Sequence, residues 1–77
     1  MSPSVLPALT ARQVLRALKR AGFVEDRQRG SHLILINGST GAKTVVPVHA
    51  GKTIKKPLLR AIIDDAGLSV MEFLDLV

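Results

Sequence analysis

The chain contains no cysteine, tryptophan or tyrosine, and only two phenylalanines, Phe23 and Phe73. Without cysteine there can be no disulfide and no thiolate metal site, a composition suited to a reducing cytosol. With aromatic residues at 3%, the core has to be aliphatic, built of Leu, Ile, Val and Ala. No apolar run approaches the ~20 residues that cross a bilayer. Met1-Ser2-Pro3-Ser4 has no basic region and no signal-peptide shape. The expectation is a soluble, cytoplasmic protein that does not engage a membrane. Acidic residues are scarce too: six Asp and Glu stand against eleven Lys and Arg, for a net charge of +5.

What is present fits one small domain. A chain of 77 residues with 47% hydrophobic content can form a globular core and is too apolar for disorder. A domain of this size buries only roughly 60–65% of its unfolded surface. Nearly all the basic residues fall between Arg12 and Arg60, whereas Asp64, Asp65, Glu72 and Asp75 lie in the C-terminal stretch. This asymmetry predicts one basic face. Such a face serves either an anionic partner, of which nucleic acid is the commonest polymeric kind, or solubility alone.

Periodicity organises the chain as follows. Residues 1–9, with Pro3 and Pro7, show no period and read as a flexible leader to a domain spanning 10–77. Thr10 is a candidate N-cap. Val14, Leu15, Leu18 and Ala21 recur at helical spacing, Arg12, Arg16, Lys19 and Arg20 fall mostly off that stripe, and Gly22 ends the helix. Phe23 and Val24 begin a short strand that gives way to the polar run Glu25–Arg29. Ser31–Ile36 reads as a central strand. Its unbroken Leu33-Ile34-Leu35-Ile36 run implies burial on both faces, or one face left for a partner. Asn37-Gly38-Ser39-Thr40-Gly41 is a turn cluster carrying the Asn-Gly hairpin signal. Lys43–Val48 returns as a strand, at an edge or ending near Pro47, which lacks an N–H. Residues 50–56 read as a loop, Pro57 suits the first position of a second helix, and Leu59, Ile62, Ile63 and Ala66 supply its buried stripe before Gly67. Ser69 can cap a last short helix, 70–76. The order α-β-β-β-α with a helical tail predicts a two-layer α+β domain, helices on one face of a three-stranded antiparallel sheet.

Two stretches carry the chemistry: Gly30-Ser31-His32 and Val48-His49-Ala50-Gly51-Lys52. They hold both histidines of the chain. Basic residues flank each, Arg27 and Arg29 before the first, Lys52, Lys55 and Lys56 after the second. Histidine is the side chain whose ordinary pKa, ~6.5, lets it exchange a proton near neutral pH. RNA can be cleaved without metal when its own 2′-OH attacks phosphorus, which needs a group to move a proton and donors for the charge on the phosphoryl oxygens. On the residues alone, His32 is equally well read as that group or as a strand-start histidine bonded to a carbonyl. His49 is a second acid or base, a phosphate-binding cation or a residue that ties the loop. Ser31 donates to a phosphate or ties the turn. Lys52, Lys55 and Lys56 precede a helix N-terminus, as an anion site or as a solvated basic loop.

Other patterns fail. Ala50-Gly51-Lys52-Thr53 resembles the end of a phosphate-binding P-loop, but Val46 stands where that loop requires glycine. Gly38 and Gly41 make no dinucleotide fingerprint. Asp64 and Asp65 are adjacent on a helix and point apart. Two histidines without cysteine, and with no acid near either in sequence, make a poor metal site. No metal and no cofactor are expected.

Taken in order, Leu18 to Phe23 (running Lys-Arg-Ala-Gly-Phe), Gly30-Ser31-His32, Val46-Pro47-Val48-His49 with Gly51-Lys52, Leu59-Arg60-Ala61-Ile62 and Ala66-Gly67-Leu68-Ser69 resemble the HicA-type toxins, small mRNA interferases of bacterial toxin–antitoxin pairs. The resemblance runs from about residue 10 to 74. It implies a fold similar to a double-stranded-RNA-binding domain, in agreement with the α-β-β-β-α order. It further implies an endoribonuclease acting on mRNA, His32 as the catalytic histidine, and a protein antitoxin of the HicB type. The expected RNA-binding set is Arg27, Arg29, Ser31, His49, Lys52, Lys55 and Lys56. One departure is that Lys56-Pro57-Leu58 replaces the Gly-Thr or similar pair with which such families cap the second helix. Two other readings stay open. A non-catalytic double-stranded-RNA binder of the same fold needs cations but no titrating group between turn and strand. A small adaptor would use the Leu33–Ile36 strand to join a partner's sheet and would have no RNA affinity.

Overall fold

The computed structural model describes residues 6–77. Its elements run β1 (Leu9–Thr10), α1 (Ala11–Arg20), β2 (Phe23–Arg29), β3 (His32–Asn37), β4 (Lys43–Pro47), β5 (Thr53–Ile54), α2 (Lys56–Asp65) and α3 (Val70–Leu74). Strands β2, β3 and β4 form an antiparallel sheet in that order, with β3 in the centre, and the helices pack on one face of it. This is the small α+β architecture predicted, compatible with a double-stranded-RNA-binding-domain fold.

Alternation along β3 divides its apolar run between two environments. Leu33 and Leu35 join Val14, Leu18, Phe23, Val46, Leu59, Ile62, Ile63 and Phe73 in the core. Ile34 points the other way. It is buried but lies outside that cluster, opposite Arg27 on β2 and Val45 on β4. Val24 and Val45 are exposed on the same outer face. One face of the run packs on the helices and the other lies on the outer side of the sheet, where Ile34 is buried and Ile36 half-buried.

The helix ends follow local chemistry. Thr10 caps α1 through a reciprocal box, its Oγ1 accepting from Gln13 N–H at 3.3 Å while Gln13 Oε1 accepts from Thr10 N–H at 2.9 Å. Ser69 and Glu72 repeat the device on α3. The backbone N–H and side chain of Ser69 hold the Glu72 carboxyl below its usual range. Gly22 follows α1 at φ 103°, a conformation open to glycine at little cost.

Four expectations are corrected. Residues 1–5 of the leader lie outside the described residues, but from Leu6 onward the segment is not free. Leu6 and Leu9 are buried, and Leu9–Thr10 pairs with Ile54–Thr53. The same pairing makes a strand, β5, of part of the expected 50–56 loop. Strand β2 does not stop at Val24 but continues to Arg29 past an irregularity between Glu25 and Arg27, with only Phe23 buried. It is held by main-chain pairing to β3, and its charges guard an exposed edge. Helix α2 starts at Lys56, so Pro57 occupies its second position. Lys55 is the N-cap and makes no side-chain capping bond. The expected turn cluster 37–41 does join β3 to β4. The hairpin closes at Asn37 N–H to Ala42 O, 2.9 Å, and the positive φ falls at Gly41. The buried Asn37 amide spends its hydrogen bonds on Ala21 O (3.2 Å) and on Ser39 N–H (2.9 Å), tying the sheet to the end of α1.

Division of β3 between two faces makes a testable contrast. Leu35→Ala removes a fully buried side chain and should cost about 2–5 kcal/mol, a large part of the ~4–12 kcal/mol expected of such a domain. Val24→Ala, at a position 62% exposed, should stay within about 0.5 kcal/mol. Urea unfolding of the two variants checks this, and equal midpoints would contradict the face assignment.

Candidate functional site

His32 is the first residue of β3, and the turn before it explains why it stands clear. Gly30 takes φ 58°, a left-handed conformation, with nothing within 4 Å of the position a Cβ would occupy. Gln28 Nε2 donates to Gly30 O at 2.9 Å, and Val48 N–H donates to Ser31 O at 2.6 Å, extending the ladder to the next segment. The chain thus reverses tightly at 30–31 and delivers His32 to the end of the central strand. Its cross-strand neighbours are Arg29 on β2 and Pro47 on β4. Pairing places Arg29, His32 and Pro47 on the outer face, in line with Arg27, Ile34 and Val45, then with Val24, Ile36 and Lys43. The result is an exposed imidazole at one end of a mainly aliphatic strip edged by Arg27, Arg29 and Lys43.

Among the described residues, neither the His32 nor the His49 imidazole makes a hydrogen bond or ion pair, and no buried side-chain polar atom lacks a partner. His32 is exposed at the start of its strand. No group of three or more His, Cys, Asp or Glu that could hold a metal occurs among the described residues. No described helix is long and apolar enough to cross a membrane.

A family model described as the HicA toxin of bacterial toxin-antitoxin matches residues 11–68, from the first residue of α1 to just past α2. The chain belongs to the HicA toxin family. It is a toxin of a toxin–antitoxin system, and an antitoxin is its implied partner. No curated protein matches this chain. The matched segment holds His32 and every other candidate site residue.

Within this HicA domain the expected RNA-binding residues separate into three places. Arg27 and Arg29 share the outer face with His32; Arg27 also lies 3.8 Å from Asp26, an exposed pair of little energetic consequence. Ser31 is half-buried in the turn, which it ties through its main-chain oxygen. Lys52, Lys55 and Lys56 are exposed around β5 and the start of α2. His49 is exposed on a different wall: with Val48, Ala50 and Gly51 it faces α1 across an open groove of about 890 Å³. The α1 side of that groove carries Arg12, Arg16, Lys19 and Arg20. These four cations are absent from the expected RNA-binding set, although their places off the apolar stripe and the spacing 12, 16, 20 already put three on one helix face.

The left-handed Gly30 makes the turn before His32 sensitive to substitution without any steric contact. Gly30→Ala should destabilise by about 1–2 kcal/mol, and Gly30→Asn by less, because asparagine tolerates the left-handed region better than alanine. Denaturant midpoints for the two variants check the order, and an alanine variant as stable as the parent would show that the turn relaxes to negative φ.

Proposed function

We propose that this toxin is a metal-independent endoribonuclease that cleaves mRNA, with His32 as its acid–base group. The observation that carries the reading is the exposed imidazole of His32, without a side-chain partner among the described residues, on a sheet face edged by arginines. In the reaction, the ribose 2′-oxygen attacks the adjacent phosphorus. The O2′–P bond forms and the P–O5′ bond breaks. His32 takes the 2′-OH proton, and water protonates the departing 5′-oxygen. Arg29 and Arg27, on the same face, offset the negative charge that builds on the phosphoryl oxygens. Ser31 brackets the phosphate from the turn, and Lys52, Lys55 and Lys56 add to the positive field that draws the polyanion in. A non-catalytic RNA binder would use the cations but would have no need of His32.

The inhibitor is an acidic antitoxin of the HicB type that covers the outer face of the sheet. Val24, Ile34, Ile36 and Val45 give it an apolar strip, and Arg27, Arg29 and Lys43 give it complementary charge. Such a complex buries at least ~1,000 Å² in total, with His32 inside.

Purified protein should cut labelled single-stranded RNA in the presence of EDTA. His32→Ala should abolish cleavage while circular dichroism stays unchanged. Equal cutting by the folded variant would remove His32 from the mechanism. Co-expression with the product of the adjacent reading frame should yield a complex that no longer cleaves, and Arg29→Glu should loosen it in a salt-dependent manner. An unbound or non-inhibiting neighbour would overturn the antitoxin reading and leave the nuclease reading intact.

A further inference from the structure

The groove between α1 and residues 48–51 lies apart from the outer face of the sheet, and its lining has a single sign of charge. Arg12, Arg16 and Arg20 recur every four residues, so their Cα atoms are spaced by ~6 Å along the helix. None of the lining residues is acidic. Among the described residues Arg12 and Arg16 have no ion-pair partner, Lys19 pairs with Glu25 outside the groove, and Arg20 gives one N–H to Leu76 O at 2.8 Å. His49 faces these cations from the opposite wall, and Leu15 and Val48 are half-buried at the groove. Among the described residues Arg12, Arg16 and Arg20 have no carboxylate partner while sharing one wall, and that arrangement favours an anionic occupant that presents several charges in a row.

We propose that this groove is a second RNA site, one that grips the sugar–phosphate backbone of the substrate away from the cleaved bond. The proposal rests on the reading of RNA as the substrate. Nucleic acid fits the lining better than a protein segment does. A strand repeats its charge at intervals that a row of arginines one helical turn apart can follow. A bound peptide would instead need a deep apolar anchor pocket, whereas the groove is open and its larger apolar residues, Leu15 and Val48, are flanked by Arg12, Arg16, Lys19 and Arg20. No aromatic side chain lines the groove, so bases find no stacking platform and the contact is indifferent to sequence.

The groove is also joined to the reaction site through the chain itself. Pro47 lies opposite His32 in the sheet, and Val48 N–H is bonded to Ser31 O. From Pro47 to His49 the chain covers at most ~7 Å. The wall that carries His49 is therefore the direct continuation of the sheet end that carries His32. A strand held along α1 leaves the groove beside the turn at Gly30–Ser31. In this arrangement Arg12, Arg16 and His49 position the RNA, and His32 does the chemistry.

The test is binding of a labelled single-stranded RNA oligonucleotide in EDTA, followed by fluorescence anisotropy over a salt series. Each substitution is made in the His32→Ala background so that no RNA is consumed. Arg12→Ala with Arg16→Ala should weaken binding about tenfold or more. It should also flatten the slope of log K against log salt by about 1.4, at ~0.7 for each phosphate no longer neutralised. Arg60→Ala removes an exposed cation on α2, outside the groove, and should leave affinity and slope near the parent. Both altered arginines on α1 are exposed, and alanine favours helix, so the fold should persist; circular dichroism checks it. An α1 double variant that binds as the parent does overturns the proposal. So does an equal loss per charge at Arg60, which would reduce the effect to net charge. A double variant that keeps RNA but no longer captures the antitoxin would also overturn it and would make the groove a protein site. If the parent never cleaves RNA, the nuclease reading fails, while the binding series still decides the groove.

Discussion

Burial of Leu33 and Leu35 in one core with the apolar stripes of α1 and α2 is the interaction on which the rest of the molecule depends. In so small a chain only one layer of helix can be built, and it covers one face of the sheet. The side chains that meet there are aliphatic except for Phe23 and Phe73. Asn37 and Thr44, the buried polar residues among those described, are both satisfied: Asn37 bonds to Ala21 O and Ser39 N–H, and Thr44 Oγ1 donates to Ile62 O at 3.3 Å. Once the inner face is committed, alternation leaves Ile34, Ile36 and His32 on the other. The outer face is thus a by-product of core packing, and it is where the exposed imidazole appears.

The same constraint bears on what can inhibit such a toxin. Antiparallel sheets tolerate solvent on one side, but Val24 and Val45 stand exposed beside Ile34 on this one, and the strip they form is the kind of surface that a partner buries. In the proposed complex a covering protein gains apolar contact and charge complementarity from one docking event, with the histidine inside its footprint.

Positive charge has two settings in the fold rather than one. Arg27 and Arg29 reach the outer face because main-chain pairing carries β2 past its single buried residue. Arg12, Arg16 and Arg20 lie along α1 because the opposite side of that helix is needed for the core. The 48–51 segment joins the two settings at the sheet end where Val48 is bonded to Ser31. On the proposed reading of RNA as the substrate, one long strand engages both settings at once.

Much of the fold was legible in the sequence alone. Helical periodicity, the caps at Thr10 and Ser69, the glycines after α1 and α2, and the apolar run of β3 each follow from short-range chemistry within a few residues of chain. The ordered motifs around His32 and His49 likewise announced the family. What the sequence could not show was set by packing between distant segments. Leu6 and Leu9 are buried only because the 53–54 segment returns beside them. Strand β2 extends because β3 supplies its hydrogen bonds, not because its own side chains are apolar. The split of the expected RNA-binding residues among the sheet face, the start of α2 and the groove was decided the same way. His32 and His49 lie close in sequence pattern and chemistry, yet sheet register sends one to the open face and the turn after Pro47 sends the other toward α1. Local propensity chooses helix, strand and cap; which side chains share a surface is decided by register and packing, which no local pattern contains.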